Sequence, residues 1–273
     1  MMQVHINAVG LQTGEFPGWQ GAWALLAQGQ APTTTTPRAA PLPFVPTNER
    51  RRLTPHIRLA LATAADTLEL DQAEPSALSR PSIFAHAEGD LDIVDKVCEA
   101  LTQSARPVSP THFHNSVHNT ASAYWHKALG WHTASTSIAA GEGTFAAGLV
   151  EAATQALVER HPAGVLLISS DSTPPADLAA VCDMPGSFGC GLALHHVGSQ
   201  HSHHTLTLAA VDADEPLSQC ATEALETLRR SCPAARALPL LVAMAQQTAQ
   251  RIVVPWLPEQ HLAITLSPQD VTP

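Results

Sequence analysis

The run Gly164-Val165-Leu166-Leu167-Ile168-Ser169 holds four large apolar side chains in succession. Successive side chains of a strand point to opposite faces of its sheet. An unbroken apolar run of strand length is therefore buried only when both faces are covered. Local strand pairing alone does not meet that demand, whereas helices packed on each side of a sheet do. The rest of the chain alternates strand and helix patterns, which predicts an α/β layered fold.

Strand patterns cover Val4–Val9, Ser82–Ala87, Thr133–Ile138, Gly164–Ser169, Gly191–His195 and Thr205–Val211. Helical periodicity covers Trp19–Gln28, Leu53–Leu70, Leu91–Thr102, Val117–Leu129, Thr144–Val158 and Leu217–Arg230. In the second of these, Leu53, Ile57, Leu61, Ala64 and Leu68 share one face. In the fifth, Phe145, Leu149, Ala152, Ala156 and Leu157 face a core. Ala31–Pro46, rich in Thr and Pro, is an extended connection. Pro110 is expected to end any regular element before it and to leave Ser109–Asn115 irregular. His195, His196, His201, His203 and His204 are expected in a solvated loop that joins Gly191–His195 and Thr205–Val211 into a hairpin. Leu238–Met244 reads as a last strand, and nothing is assigned after Ile252.

Composition removes several function classes. The chain carries 14 Lys+Arg against 24 Asp+Glu, a formal net charge of −10, and its one dense basic cluster is Arg50–Arg52. That balance disfavours nucleic acid, and Arg50–Arg52 reads as charge ahead of the helix that begins near Thr54. Only 14% of residues are charged and 45% are hydrophobic, which argues against disorder and for surface covered by a partner. The five cysteines are scattered without a CxxC spacing, and no carboxylate accompanies the His195–His204 stretch, so no metal and no cofactor are expected. The N-terminus has no basic region followed by an apolar run, and no stretch of 18 apolar residues occurs. A cytoplasmic protein without a membrane span is expected.

The chemistry should lie between Val108 and Gly148. Its end, Thr136-Ser137-Ile138-Ala139-Ala140-Gly141-Glu142-Gly143-Thr144-Phe145, reads as strand, small-residue turn and helix. Acyl-transfer enzymes present a nucleophile in this way, because a helix N-terminus favours a thiolate and an oxyanion. Yet no cysteine lies between Cys98 and Cys182. Ser137, with His114 or His118 as base, is the alternative nucleophile, although no GxSxG elbow is present.

Several segments together resemble the β-ketoacyl synthases, and most closely the short chain-length-factor-like proteins of bacterial aryl polyene biosynthesis. They are Arg52-Leu53-Thr54-Pro55-His56-Ile57-Arg58-Leu59-Ala60-Leu61, Ile83-Phe84-Ala85-His86-Ala87-Glu88-Gly89-Asp90-Leu91, and Ser109-Pro110-Thr111-His112-Phe113-His114-Asn115-Ser116-Val117-His118-Asn119 continuing to Tyr124-Trp125. The turn segment and Pro185-Gly186-Ser187-Phe188-Gly189 complete the set. The resemblance implies a thiolase-like layered fold, essentially its N-terminal half. It implies a ketosynthase N-terminal-like domain over 1–215, and a segment 216–273 that completes or flanks the same domain. Matching Gly143 and Gly148 to the family's helix-start glycines puts Ala140 at the nucleophile position, with Ala139 or Gly141 there if the register slips by one. The chain would then be non-catalytic. It would pair as a heterodimer with a full-length β-ketoacyl synthase and serve chains carried on an acyl carrier protein. Its contribution would be interface or acyl-tunnel surface from Phe113, His114, Asn115, His118, Tyr124, Trp125, Ser137, Glu142 and Phe145, with Thr133–Ile138 pairing edge to edge with the partner. Five of these have a plainer role beside the sharper one: Asn115 and His118 as loop-holding hydrogen-bond groups, Tyr124 and Trp125 as core, and Glu142 as a carboxylate at a helix start. The competing function is a stand-alone acyl-transfer or thioester-hydrolysing enzyme using Ser137.

Overall fold

The structure, a computed structural model, describes residues 1–16, 18–34, 37, 40–69, 78–198 and 202–268. The chain opens with strand β1 (Met2–Thr13), then α1 (Trp19–Ala27), the single turn α2 (Thr47–Arg50) and α3 (Pro55–Thr67). Next come β2 (Ser82–Ala85), α4 (Leu91–Thr102), α5 (Pro110–Asn115), α6 (Thr120–Leu129) and β3 (Ser135–Ile138). The second half brings α7 (Thr144–Glu159), β4 (Val165–Asp171), β5 (Phe188–His195), β6 (His204–Asp212), α8 (Glu223–Ser231), α9 (Leu238–Ala245), β7 (Gln250–Leu257) and β8 (Gln260–Pro268).

The strands form one eight-stranded sheet in the order β3-β2-β4-β5-β1-β6-β8-β7. β3, β2 and β4 run parallel, and the other pairings are antiparallel. Every residue of β4 is buried, as its apolar run demands. Val165 and Leu167 enter one core with Phe145, Leu149 and Leu241, while Leu166 and Ile168 enter a second core with Ile57, Leu61 and Trp125. So α7 and α9 cover one face, and α3 and α6 cover the other. β1 shows how the first core keeps its supply of side chains. A bulge between Ile6 and Ala8 shifts the alternation by one residue, so Val4, Ile6, Val9 and Leu11 all face the same core.

Caps explain the boundaries. Thr54 accepts from Ile57 N at the start of α3, and Asp90 accepts from Ile93 N at the start of α4. Gly130 ends α6 in the left-handed conformation, φ 66°. The expected helix Leu53–Leu70 is narrowed to Pro55–Thr67, with Leu70 outside the described residues.

Three expectations are corrected. Pro110 begins a helix, because at the first helical position its missing N–H has no partner to lose. Leu238–Met244 is helical: a short apolar run buried on all sides looks alike as strand or helix, and Pro239 sits in its first turn. β5 and β6 are not a hairpin, since β1 lies between them and pairs with both. His204 accordingly belongs to β6 and is buried, not part of a solvated loop, while His201 lies outside the described residues. The region after Ile252, left unassigned, is the β7–β8 hairpin, whose β8 pairs with β6 from Asp212 back to His204.

Candidate functional site

The parallel strands β3, β2 and β4 deliver their carboxyl ends to one edge of the molecule, where open α/β sheets place their chemistry. β3 leads into Ala139–Gly143. Gly141–Gly143 makes one 3-10 turn, and α7 follows. The Thr144 hydroxyl ties this turn together: Ala140 N donates to Oγ1 at 2.9 Å, and the hydroxyl donates to Gly141 O at 2.7 Å. Ala139, Ala140, Gly141 and Glu142 are exposed. The turn itself offers two methyl groups, two glycines and the Glu142 carboxylate, and no thiol or hydroxyl.

Gly143 is needed for space. A Cβ there would lie 2.1 Å from the carbonyl oxygen of Trp256, so β7 crosses directly over the turn. Its φ of −86° suits any residue, and only the crossing forbids a side chain. Gly143→Ala is therefore expected to cost upward of ~2 kcal/mol by overpacking. Thermal unfolding would measure the loss, and amide exchange would show β7 opening first. Unchanged stability would mean that β7 does not rest on the turn.

Glu142 does more than start a helix. Its carboxylate accepts from Arg236, with Nε at 2.9 Å. Arg236 is buried and also donates to the backbone carbonyls of Arg229 and Arg230. Arg229 forms a bidentate pair with Glu226 at 2.8 and 2.6 Å, and Glu226 accepts from Cys220 N. The turn is thereby fastened to α8, some ninety residues away in sequence (94 to Arg236).

Behind the turn lies a histidine group that sequence reading quoted but did not assemble. His86, at the end of β2, is fully buried, with Nδ1 2.9 Å from Ser170 O and 3.1 Å from Ser170 Oγ. Its ring meets His56 edge-on at 4.5 Å and His118 at 5.9 Å. His118 Nε2 is 3.2 Å from His86 O. Burial lowers the His56 pKa to about 4 and holds that of His86 well below the usual value. At the end of β4, Asp171 is buried and receives Ala87 N and Ala234 N, yet burial still raises its pKa to about 6. These groups brace the loops around the turn; His56, His86 and Asp171 are buried, and only His118 reaches the surface.

The other predicted site residues separate into two sets. Phe113 and His114 are exposed on α5, Phe113 to 70%. Asn115 is buried, donates to Arg52 O at 3.0 Å and accepts from the Tyr124 hydroxyl at 3.3 Å. Trp125 and Phe145 are fully buried, one in each core. Ser137 is half-buried in β3, and its Oγ is 3.5 Å from Ser122 Oγ, a hydroxyl and not a base. A serine–histidine contact does occur elsewhere, Ser82 Oγ to His126 Nε2 at 2.7 Å. It sits at the amino ends of the parallel strands with Ser82 fully buried, closed to a thioester. Burial also raises Cys190 to about 12, the behaviour of a small core residue. Among the described residues, no group of three or more His, Cys, Asp or Glu is placed to hold a metal, and no helix is long and apolar enough to cross a membrane.

A layered mixed sheet with a strand–turn–helix at the ends of its parallel strands defines a thiolase-like scaffold. Residues 19–254 match the family described as beta-ketoacyl synthase, N-terminal domain, and the chain belongs to that family. Solved structures agree on the fold. One is the ketosynthase ApeO in complex with its chain length factor ApeC from Xenorhabdus doucetiae. It matches at 19% identity and TM-score 0.69, over 98% of this chain and 100% of that one. The ishigamide ketosynthase/chain length factor matches at 13% identity and TM-score 0.67, over 98% and 99%. AntDE:AntF, a type II polyketide acyl-carrier protein in complex with its ketosynthase, matches at 10% identity and TM-score 0.71, over 98% and 99%. No curated protein matches the sequence.

Proposed function

We propose that the chain is a non-catalytic β-ketoacyl synthase-like subunit, a chain length factor. It pairs with a full-length ketosynthase to elongate polyene or polyketide chains carried on an acyl carrier protein, in the bacterial cytoplasm. The observation that supports this reading is the turn itself: strand, hydroxyl-braced turn and helix are present, and the turn holds no cysteine; in the register set by Gly143 and Gly148, Ala140 would stand where a nucleophile acts.

Two further features support a partner. β3 is the terminal strand of the sheet, so one of its edges has no neighbour within the described sheet. Elsewhere, α4 and α5 pack together and leave Val94, Leu101 and Phe113 exposed, as is Val117 just after α5, apolar surface of the kind an obligate partner covers. In this reading Phe113, His114 and the Ala139–Glu142 turn face the ketosynthase, while Asn115, His118, Tyr124, Trp125 and Phe145 hold that surface in shape. The competing use of Ser137 is disfavoured by its hydroxyl partner and by its place within the strand.

Co-expression with a ketosynthase encoded beside this chain tests the proposal. A one-to-one complex that elongates acyl chains, with neither subunit active alone, is the expected result. A chain that turns over acyl thioesters by itself, and stops doing so as Ser137→Ala, would overturn it.

A further inference from the structure

We infer that a second site, the cleft between α1 and the bulge of β1, binds a small organic ammonium that carries an aromatic or apolar portion. The cleft has a volume of about 560 Å³. It lies four strand spacings from β3 in the sheet order, roughly 20 Å from the emptied turn at the usual interstrand distance. It is therefore separate from the surface assigned to the ketosynthase.

Its walls come from local features that each have another use for their residues in an ordinary surface. Trp19 and Trp23 stand four residues apart on α1, so both indoles reach the same side of the helix and line the cleft. Trp23 is 45% exposed, an unusual position for the largest apolar side chain unless something packs on it. The β1 bulge turns Asn7 toward the opening, where its neighbours would otherwise continue the sheet's alternation. Glu69 follows α3 with a left-handed φ of 48°, a conformation that a non-glycine residue holds at a cost. Its carboxylate accepts from Gln20 Nε2 at 2.6 Å across the cleft. His204 forms part of the floor; it is buried, and its Nδ1 has no hydrogen-bond partner.

The chemistry selects the charge of the ligand. Among the described residues lining the cleft, Glu69 is the one charged side chain, and no lysine or arginine is present. Burial lowers the His204 pKa to about 4, so its imidazole adds no positive charge at neutral pH. Beyond the His203 imidazole, an anion would meet no lysine or arginine and would face a carboxylate. A cation meets that carboxylate and two indole faces, whose quadrupoles attract positive charge. The Asn7, Gln20 and Gln247 amide oxygens are suited to accept from an ammonium N–H, although Asn7 Oδ1 already accepts from Ser202 Oγ at 2.8 Å.

Phenethylammonium, benzyl alcohol and benzoate serve as probes of matched size, added to the full chain or to the complex with its ketosynthase. Calorimetry and ligand-observed magnetic resonance report binding. The ammonium is expected to bind at least about tenfold more tightly than the alcohol, with no binding of benzoate. Trp23→Ala and Glu69→Gln are each expected to weaken it at least about fivefold, while co-purification with the ketosynthase is unchanged. Equal binding of the acid or the alcohol, no binding at millimolar ammonium, or full affinity in both variants overturns the inference. The binding outcomes, read on the full chain alone, do not depend on whether the chain is a chain length factor.

Discussion

Trp125→Ala is expected to lose about 3–5 kcal/mol of folding stability, the usual range for emptying an indole-sized space in a core. Trp125 has no exposed surface. Its ring meets Phe44 at 5.5 Å and 81°, and Trp131 at 5.6 Å and 84°, both edge-to-face. The indole N–H has no hydrogen-bond partner, so the loss is one of packing. Phe44 belongs to the Thr- and Pro-rich connection after α1. Its anchor disappears with the indole, and that segment should become accessible to proteases before the rest of the chain. Denaturant titration measures the effect, and Trp125→Phe should recover a good part of it. If the chain serves as the proposed chain length factor, this region could instead border the acyl tunnel, which gives a clear opposite outcome. If Trp125→Ala retains full stability and the complex makes longer products, the side chain lines the tunnel instead of filling the core.

Stability should fall steeply below about pH 6, chiefly through His56 and His86. The folded-state pKa of His56 is about 4, below its unfolded value of 6.5. A depressed pKa of this kind gives stability that is present above pH 6.5 and is lost as pH falls through 4. The difference of about 2.5 units corresponds to roughly 3 kcal/mol. His86 acts in the same direction. Asp171 acts in the opposite one: its folded pKa, raised to about 6, gives stability present below about 4 and lost as pH rises through 6. The histidines dominate because two of them share one buried cluster and repel each other once charged. Chemical denaturation between pH 7.5 and 4.5 checks this, with His56→Gln expected to flatten the slope. A slope that is flat in the native chain would show that the cluster takes up protons without opening.

Much of the fold was legible because it rests on local pattern. The apolar run of β4 implied helices on both faces, and α3, α6, α7 and α9 supply them. α4 begins where Asp90 can cap it, so its limits agree with the expected Leu91–Thr102. The strand, turn and helix around Ala140 were legible from their small-residue pattern, and the absence of a cysteine there is plain in the sequence. What stayed hidden depends on residues far apart in sequence. Nothing near β5 or β6 announces that β1 lies between them. Likewise, nothing near Glu142 points to Arg236, and nothing near Gly143 points to Trp256. His56, His86 and His118 each stood inside a quoted motif. The start of α3, the end of β2 and the α5–α6 connection had to converge before they became a cluster. The β7–β8 hairpin was missed for a different reason: Pro255 argues against a strand, yet it lies on the sheet's last strand, beside an irregularity of pairing.

The central position of β1 has a consequence for how the molecule is made. Its neighbours in the sheet are residues 188–195 and 204–208, so its partners leave the ribosome long after it does. Until then a strand with four core side chains has no place to go. Contacts of such sequence separation close slowly, and the waiting strand is open to pairing with other nascent chains. Polar fusion partners placed ahead of Met1 should therefore raise the soluble yield by shielding that strand during synthesis. Any truncation that removes Val4–Leu11 should leave a sheet split in two between β5 and β6.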